Sequence, residues 1–342
     1  MNKKTRFIIG FIVAIFAFYY TIQNLSIDEL FNSIFKIESQ YLIYTVLLMG
    51  ICYVPRAFRW QLLLSPIKSV NTSGLFSPMM IGFMGNFLPG RLGEPLRAYL
   101  FGKKYDVSII SSFATVVVER LFDLVVVIML FVWILVFQSD VIDPNVYFFG
   151  ISIQNIAVNF GLVALTIIFA TTLFIYLLIH KKEKAIGTIY YFTQMLPNKW
   201  QTMIVDLVKK FSLGLVALSD FNCFMKMVIY TIFIWIITIS AFIPLTLAFD
   251  IQEKTITLLV LLRAMVSILI VILPTPAYLG SFNAGVFIVL HEIMGETEIV
   301  AASFGLVAWA LNTFVVFFSG MCFLSSDWLL EKSFNKIDKD HF

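Results

Sequence analysis

Apolar runs long enough to cross a bilayer constrain this chain more than any other feature. They recur over residues 7–22, 40–64, 109–137, 157–179, 223–248, 256–272 and 299–324. Lipid offers the backbone no hydrogen-bond partners, so only helices and closed barrels cross it. These runs approach or exceed 18 residues and lack the two-residue alternation of barrel strands. Of the 342 residues 60% are hydrophobic and 13% charged, against about 45–50% and about 25% in soluble domains. The sequence therefore reads as an all-α integral membrane protein with about six to eight transmembrane helices.

Two short polar interruptions stand out. Asn86-Phe87-Leu88-Pro89-Gly90-Arg91-Leu92-Gly93-Glu94-Pro95-Leu96-Arg97 separates two apolar segments. Residues 74–88 would span only about 22 Å as a helix, short of the ~30 Å hydrocarbon core. A second break follows at Leu273-Pro274-Thr275-Pro276-Ala277-Tyr278-Leu279-Gly280-Ser281. Proline and glycine punctuate the backbone, and non-helical backbone survives at membrane depth only where protein buries it or it lines a wet cavity. Pro89, Gly90, Gly93, Pro274, Pro276 and Gly280 are thus expected to shape two broken or re-entrant hairpins, over 74–104 and 256–294, that face each other around one site.

Charge gives an orientation. Placing the N-terminus, 56–104, 180–226 and the tail inside collects all 24 lysines and arginines except Lys36, Lys254, Arg120 and Arg263. That asymmetry predicts cytoplasmic termini. It also explains the net charge of +3 without a nucleic-acid partner. The two hairpins then enter from opposite sides, the pattern of an inverted-repeat transporter; independent helices with ordinary proline kinks are the alternative. The expectation is one polytopic domain over 1–342, with halves at about 1–140 and 157–326, an amphipathic interfacial helix at 200–218 and a polar tail at 327–342. Lys3, Lys4 and Arg6 precede the first run, but no small-residue exit follows it, so an uncleaved first helix is expected.

Charges at membrane depth cost roughly 2.5–3.5 kcal/mol each, so they mark the candidate site. Arg91, Glu94 and Arg97 are spaced by three and share a helix side. With Arg56 and Arg59 they make a basic pocket suited to phosphate, or a set of interfacial anchors with Glu94 bridging its arginines. Glu119 and Asp123 lie four apart on one face, with Glu119 about 15 Å into a helix begun near Ile109. They either face a cavity or sit at the interface. Arg263 either faces the site or snorkels. His291 and Glu292 read as an outer-interface pair, with a proton relay as the alternative. Cys52, Cys223 and Cys322 are far apart and read as buried hydrophobes. No P-loop, GxSxG or HExxH motif occurs. No cofactor or metal is expected.

Leu88–Arg97, Val118-Glu119-Arg120-Leu121-Phe122-Asp123, and Leu273–Pro276 with Leu279-Gly280-Ser281 together resemble the flippase-like membrane domain family, the transmembrane region of lysylphosphatidylglycerol synthases, also known as multiple peptide resistance factors. The resemblance covers nearly the whole chain. It implies movement of lipids such as aminoacylated phosphatidylglycerol between leaflets. Full synthases add a soluble domain that takes lysine from lysyl-tRNA. That domain is absent from this sequence, so the resemblance implies the flippase-like part alone. Asn283 stands where the resemblance leads one to expect an acidic residue.

The residues and the resemblance lead to one expectation: a lipid translocase of the plasma membrane for a phosphate-headgroup lipid, aminoacylated or polyprenyl-linked. Arg91, Arg97, Arg56 and Arg59 would hold the phosphate while Glu94, Glu119 and Asp123 exchange with them. Membrane lipids are the expected partners. A separate lipid synthase or glycosyltransferase is a candidate protein partner, and an oligomer stays open. The rival readings are a membrane-embedded lipid-modifying transferase, a non-catalytic subunit of an envelope-lipid complex, and a small-anion transporter.

Overall fold

The computed structural model describes residues 26–87, 92–137, 147–148, 151–152, isolated positions between 159 and 177, and 181–340 apart from 195, 196, 253 and 274. The expected first helix at 7–22 and most of the loop at 138–156 lie outside the described residues. Of the expected span at 157–179, the described positions are helical. Apart from a two-residue antiparallel ladder that sets Tyr147 opposite Ser152, every described element is helical.

Helix α1 (Ile27–Phe35) was not expected from hydropathy. The Ser26 side chain accepts from the Glu29 amide at 3.2 Å, and Ser26-x-x-Glu29 has the spacing of a capping box. Helix α1 packs against the last helix. Ser26→Ala is expected to cost the helix about 1 kcal/mol, read as faster amide exchange over 27–35 with the other helices unchanged.

The run at 40–64 forms two helices, α2 (Ser39–Ile51) and α3 (Tyr53–Leu64). Pro55 explains the division. It has no N–H for the carbonyl four residues back, and that carbonyl belongs to Ile51, the last residue of α2. The same device recurs later. The run at 223–248 divides into α9 (Phe221–Ser240) and α10 (Ile243–Ala248), and Pro244 stands four residues after Ser240.

Helices α4 (Thr72–Met84) and α5 (Gly93–Tyr105) form the first hairpin, each 13 residues, or about 20 Å. A 3-10 turn at Gly85–Phe87 precedes the break, while Leu88, Pro89, Gly90 and Arg91 lie outside the described residues. Helix α6 (Ile109–Phe137) follows as one 29-residue helix.

Helix α7 (Lys182–Thr193) was not expected. Helix α8 (Asn198–Leu213) ends earlier than the amphipathic pattern at 200–218. Part of its apolar face is covered, while Trp200, Met203 and Leu213 stay exposed. Val208 and Phe211 pack against Leu63, Ala114 and Val118, and Ser111 Oγ on α6 donates to the Lys210 carbonyl at 2.6 Å.

The second hairpin is α11 (Ile256–Ile272) followed by α12 (Ser281–Phe287), which continues as a wider π-helical turn, Ile288–Ile293. Pro274 lies outside the described residues. The break itself is a 3-10 turn, Pro276–Tyr278, in which Ala277 and Tyr278 take φ of 52° and 62°. Gly280, at φ 92°, begins α12 from a backbone conformation that favours glycine. Helix α13 (Glu298–Asp340) then runs on through the region expected as a polar tail.

Among the described residues, three helical segments, Ser39–Leu64, Phe221–Ala248 and Glu298–Ser326, are long and apolar enough to cross a membrane by length and composition. The largest core joins α6 to the second hairpin and α13. A smaller one fills the space between α3, α4 and α5. The turns of the two breaks, Gly85–Phe87 and Pro276–Tyr278, touch.

Candidate functional site

The site is built where α3, α5 and α6 meet, beside the touching breaks. Arg59 on α3 is fully buried and reaches both carboxylates of α6. Its Nη1 donates to Asp123 Oδ1 at 2.7 Å and its Nη2 to Asp123 Oδ2 at 3.3 Å, while Nε donates to Glu119 Oε1 at 3.4 Å. Nη1 also donates to Thr231 Oγ1 on α9 at 3.1 Å. A planar guanidinium meets two carboxylates in this way because its donors form a fixed fork.

Arg97 enters from α5, one side of which is held against α4. A Cβ on Gly82 would lie 2.6 Å from that of Arg97, and Asn86 Oδ1 accepts from the Gly93 amide at 3.0 Å. The Arg97 guanidinium stacks 3.7 Å from the centroid of Trp60. Trp60 is itself fixed by donating to Thr115 Oγ1 at 3.0 Å. Arg97 Nη1 lies 2.7 Å from Glu119 Oε2, out of line for a hydrogen bond, so this contact is electrostatic. Glu119 is 1% exposed. Protein therefore surrounds its carboxylate.

Asp123 also receives Arg120 Nη2 at 3.1 Å. Arg56, one turn before Arg59, packs over Tyr53 and Phe83 at 5.8 and 5.7 Å. Arg263 lies mid-way along α11 and covers Trp235 at 5.0 Å, so it faces the interior of the bundle.

Of the residues expected at the site, Arg59, Arg97, Glu119 and Asp123 form one network, with Arg56 beside it. Glu94 does not pair with Arg97. It is half-buried and has no ion pair with a described residue, because Arg97 turns inward to Glu119. Arg91 lies outside the described residues. His291 Nδ1 is 2.7 Å from the Glu296 carbonyl and its Nε2 is 3.9 Å from Glu298 Oε1. Sequence gave no reason to place Thr231, Trp60 or Trp235 at the site. A threonine or tryptophan within an apolar run carries no pattern that separates packing from function.

Among the described residues no group of three or more His, Cys, Asp or Glu is placed to hold a metal. The arrangement can bind and exchange charge. A helical membrane bundle with a charged interior at two broken hairpins is the class these features define. The profile described as Lysylphosphatidylglycerol synthase TM region matches residues 7–320, and the chain belongs to that family. Its role is therefore membrane-lipid related. No curated protein and no solved structure shows a significant match.

Proposed function

We propose that the protein is a lipid translocase that moves a phosphate-headgroup lipid between leaflets of the plasma membrane, with both termini cytoplasmic. One observation carries the reading. Among the described residues, Arg56, Arg59, Arg97 and Arg263 lie in the bundle with two buried or half-buried carboxylates, Glu119 and Asp123. Charge is costly at membrane depth and marks substrate paths there. An uncompensated positive interior suits an anionic head group.

The architecture supports movement. Pro55 and Pro244 divide corresponding helices at the same offset from the preceding helix end. Helix α4 packs on α13 while α11 packs on α6, the exchange expected if the halves are related by a two-fold axis. We read the chain as two inverted halves with about six to eight spans, counting runs outside the described residues. Opposed breaks near the midplane let such a site open to either side in turn. Glu119, shared by Arg59 and Arg97, is the group whose partners would exchange. A separate lipid synthase or glycosyltransferase would supply or consume the lipid.

Proteoliposomes test the reading. Labelled phosphatidic acid, phosphatidylglycerol, lysyl-phosphatidylglycerol and a polyprenyl phosphate are followed by loss of outer-leaflet signal. The wild type is expected to move at least one of them, and a folded Glu119→Gln variant to lose at least tenfold in rate. Movement of all four at the rate of empty vesicles would overturn the proposal.

A further inference from the structure

Helices α7 and α8 are too short and too charged to cross a bilayer. They have 12 and 16 residues, or about 18 and 24 Å, and both carry lysines and an acid. They nevertheless display aromatic rings. Tyr190, Tyr191 and Phe192 near the end of α7 and Trp200 near the start of α8 are 51, 68, 75 and 56% exposed. The four flank the turn that joins the helices. Tyr191 and Phe192 touch each other, with centroids 5.9 Å apart. An exposed apolar cluster of this kind marks a surface that something covers.

The rings stand on a firm base. Helix α7 packs on α8 and α8 on α6, and Gln201 Nε2 donates to the Tyr190 carbonyl at 3.2 Å, which ties the two arms together beside the rings. Helical register then sorts the faces of α7. Half-buried Ile186 and Ile189 share one side with buried Thr193. Lys184, Thr188, Tyr191 and Phe192 follow one another at steps of four, three and one, and form an exposed stripe on the opposite side, with exposed Lys181 just before it. Glu183 falls outside that stripe.

Charge identifies the cover. Residues 181–213 contain six lysines against Glu183 and Asp206, a net charge of +4, while the whole chain carries +3. Asp206 is already taken by Lys210 at 2.7 Å. A second copy of this stripe would set lysine against lysine. Rings that favour head-group depth, with lysines on the same face, are the pattern of a helix lying on an anionic bilayer. The bundle already sits in a bilayer, so that surface is within reach of the hairpin.

We propose that the α7–α8 hairpin docks on the anionic head-group surface of the surrounding bilayer, with Tyr191 and Phe192 entering it and Lys181 and Lys184 reading its charge. With cytoplasmic termini as proposed, this is the cytoplasmic leaflet. Each lysine at such a surface strengthens the contact about fivefold. The docked hairpin lies against the helices of the interior network, because α8 packs on Leu63 of α3 and on Ala114 and Val118 of α6.

A fluorescent reporter on the full chain in nanodiscs tests this. Cys52 and Cys223 are buried and Cys322 is exposed, so Cys322→Ser with Thr188→Cys directs an NBD probe to the exposed stripe. Quenching by a phosphatidylcholine with a nitroxide near its head group reports contact with the leaflet. Nanodiscs of phosphatidylcholine alone are compared with nanodiscs in which a third of the lipid is phosphatidylglycerol or phosphatidylserine. Both anionic lipids are expected to raise quenching at least threefold, and equally, since the lysines read surface charge. Salt at about 1 M should remove most of the rise, because the Debye length falls to about 3 Å. Lys181→Gln with Lys184→Gln should return quenching to the neutral-lipid level. Lys68→Gln, exposed on the loop after α3, should leave it unchanged. Tyr191→Ser with Phe192→Ser should lower it in every lipid. These side chains are exposed, so an unchanged melting temperature separates loss of docking from loss of fold. Equal quenching in neutral and anionic nanodiscs overturns the charge reading. A response to only one of the two anionic lipids overturns it in favour of a head-group-specific site. A full response in the double lysine variant overturns the assignment of those residues. No quenching in any lipid overturns docking and gives the face to a protein partner. Lipid movement enters none of these readouts, so failure of the translocase reading would leave the docking standing, and the reverse.

Discussion

Glu119→Ala is expected to destabilise the protein by about 3–5 kcal/mol, the usual cost of leaving a buried charge without its partner. Arg59 would keep Asp123 at 2.7 Å and Thr231 at 3.1 Å. Arg97 would keep nothing of opposite charge. Its Nε and Nη2 already lack acceptors, and Glu119 is its only ion-pair partner among the described residues. The Trp60 ring at 3.7 Å supplies a cation–π contact, worth about 2 kcal/mol when desolvated, too little to replace a carboxylate. Removing both charges should cost far less than the sum of the single changes, because a buried ion pair exchanged for apolar groups of similar size is often neutral. Arg97→Met with Glu119→Leu is therefore expected to recover most of the stability and none of the lipid movement. Unfolding in mixed micelles across the four-protein cycle gives the coupling energy directly. A cost below about 1 kcal/mol for Glu119→Ala, or strict additivity in the double variant, would contradict this account.

Much of the scaffold is legible in the sequence because hydropathy and helix length are local properties. Helix α11 runs from Ile256 to Ile272 as expected, with Thr255 capping its start by accepting from the Leu258 amide at 3.2 Å. The divisions at Pro55 and Pro244 were not resolved, since a proline changes the hydrogen-bond ladder without changing the hydropathy of the run. Helix α1 escaped for the opposite reason. Its charged residues depress the hydropathy, while the signal that did exist was the cap at Ser26 and Glu29. Helix α7 has no side-chain cap at its start and carries no such signal. At the site, the sequence identifies which residues are costly. It does not identify their partners. Arg59 and Glu119 are 60 residues apart and Arg59 and Asp123 are 64 apart, so their pairing is a property of helix packing. The spacing of Glu94 and Arg97 suggested a local bridge. The rotation of α5 against α4, fixed by Gly82 and Gly93, sends Arg97 to α6.

That rotation makes the glycines of the first hairpin the second place where a small change should have a large effect. A Cβ on Gly93 would fall on the Asn86 side chain and 2.5 Å from the Gly82 carbonyl oxygen. One on Gly82 would fall 2.6 Å from Arg97 Cβ and 3.1 Å from Arg97 Cα. These obstacles include backbone as well as side chain, so α4 and α5 must separate before either alanine fits. Overpacking of this kind costs about 1–3 kcal/mol, occasionally more, and Gly93→Ala belongs at the upper end because Asn86, 2% exposed, is also displaced. The consequence for function should exceed the consequence for stability. A shift of α5 by a fraction of an ångström carries Arg97 away from Glu119, and the ion-pair network around Glu119 opens. Gly82→Ala is thus expected to reduce lipid movement at least tenfold even in samples that remain folded. Gly50 on α2 and Gly187 on α7 provide the comparison, since a Cβ at either meets nothing within 4 Å. Alanine there should stabilise its helix by about 0.5–1 kcal/mol and leave movement intact. If Gly82→Ala behaves like Gly50→Ala in both stability and lipid movement, then the close approach of α4 and α5 does not position Arg97, and the site must be held by α3 and α6 alone.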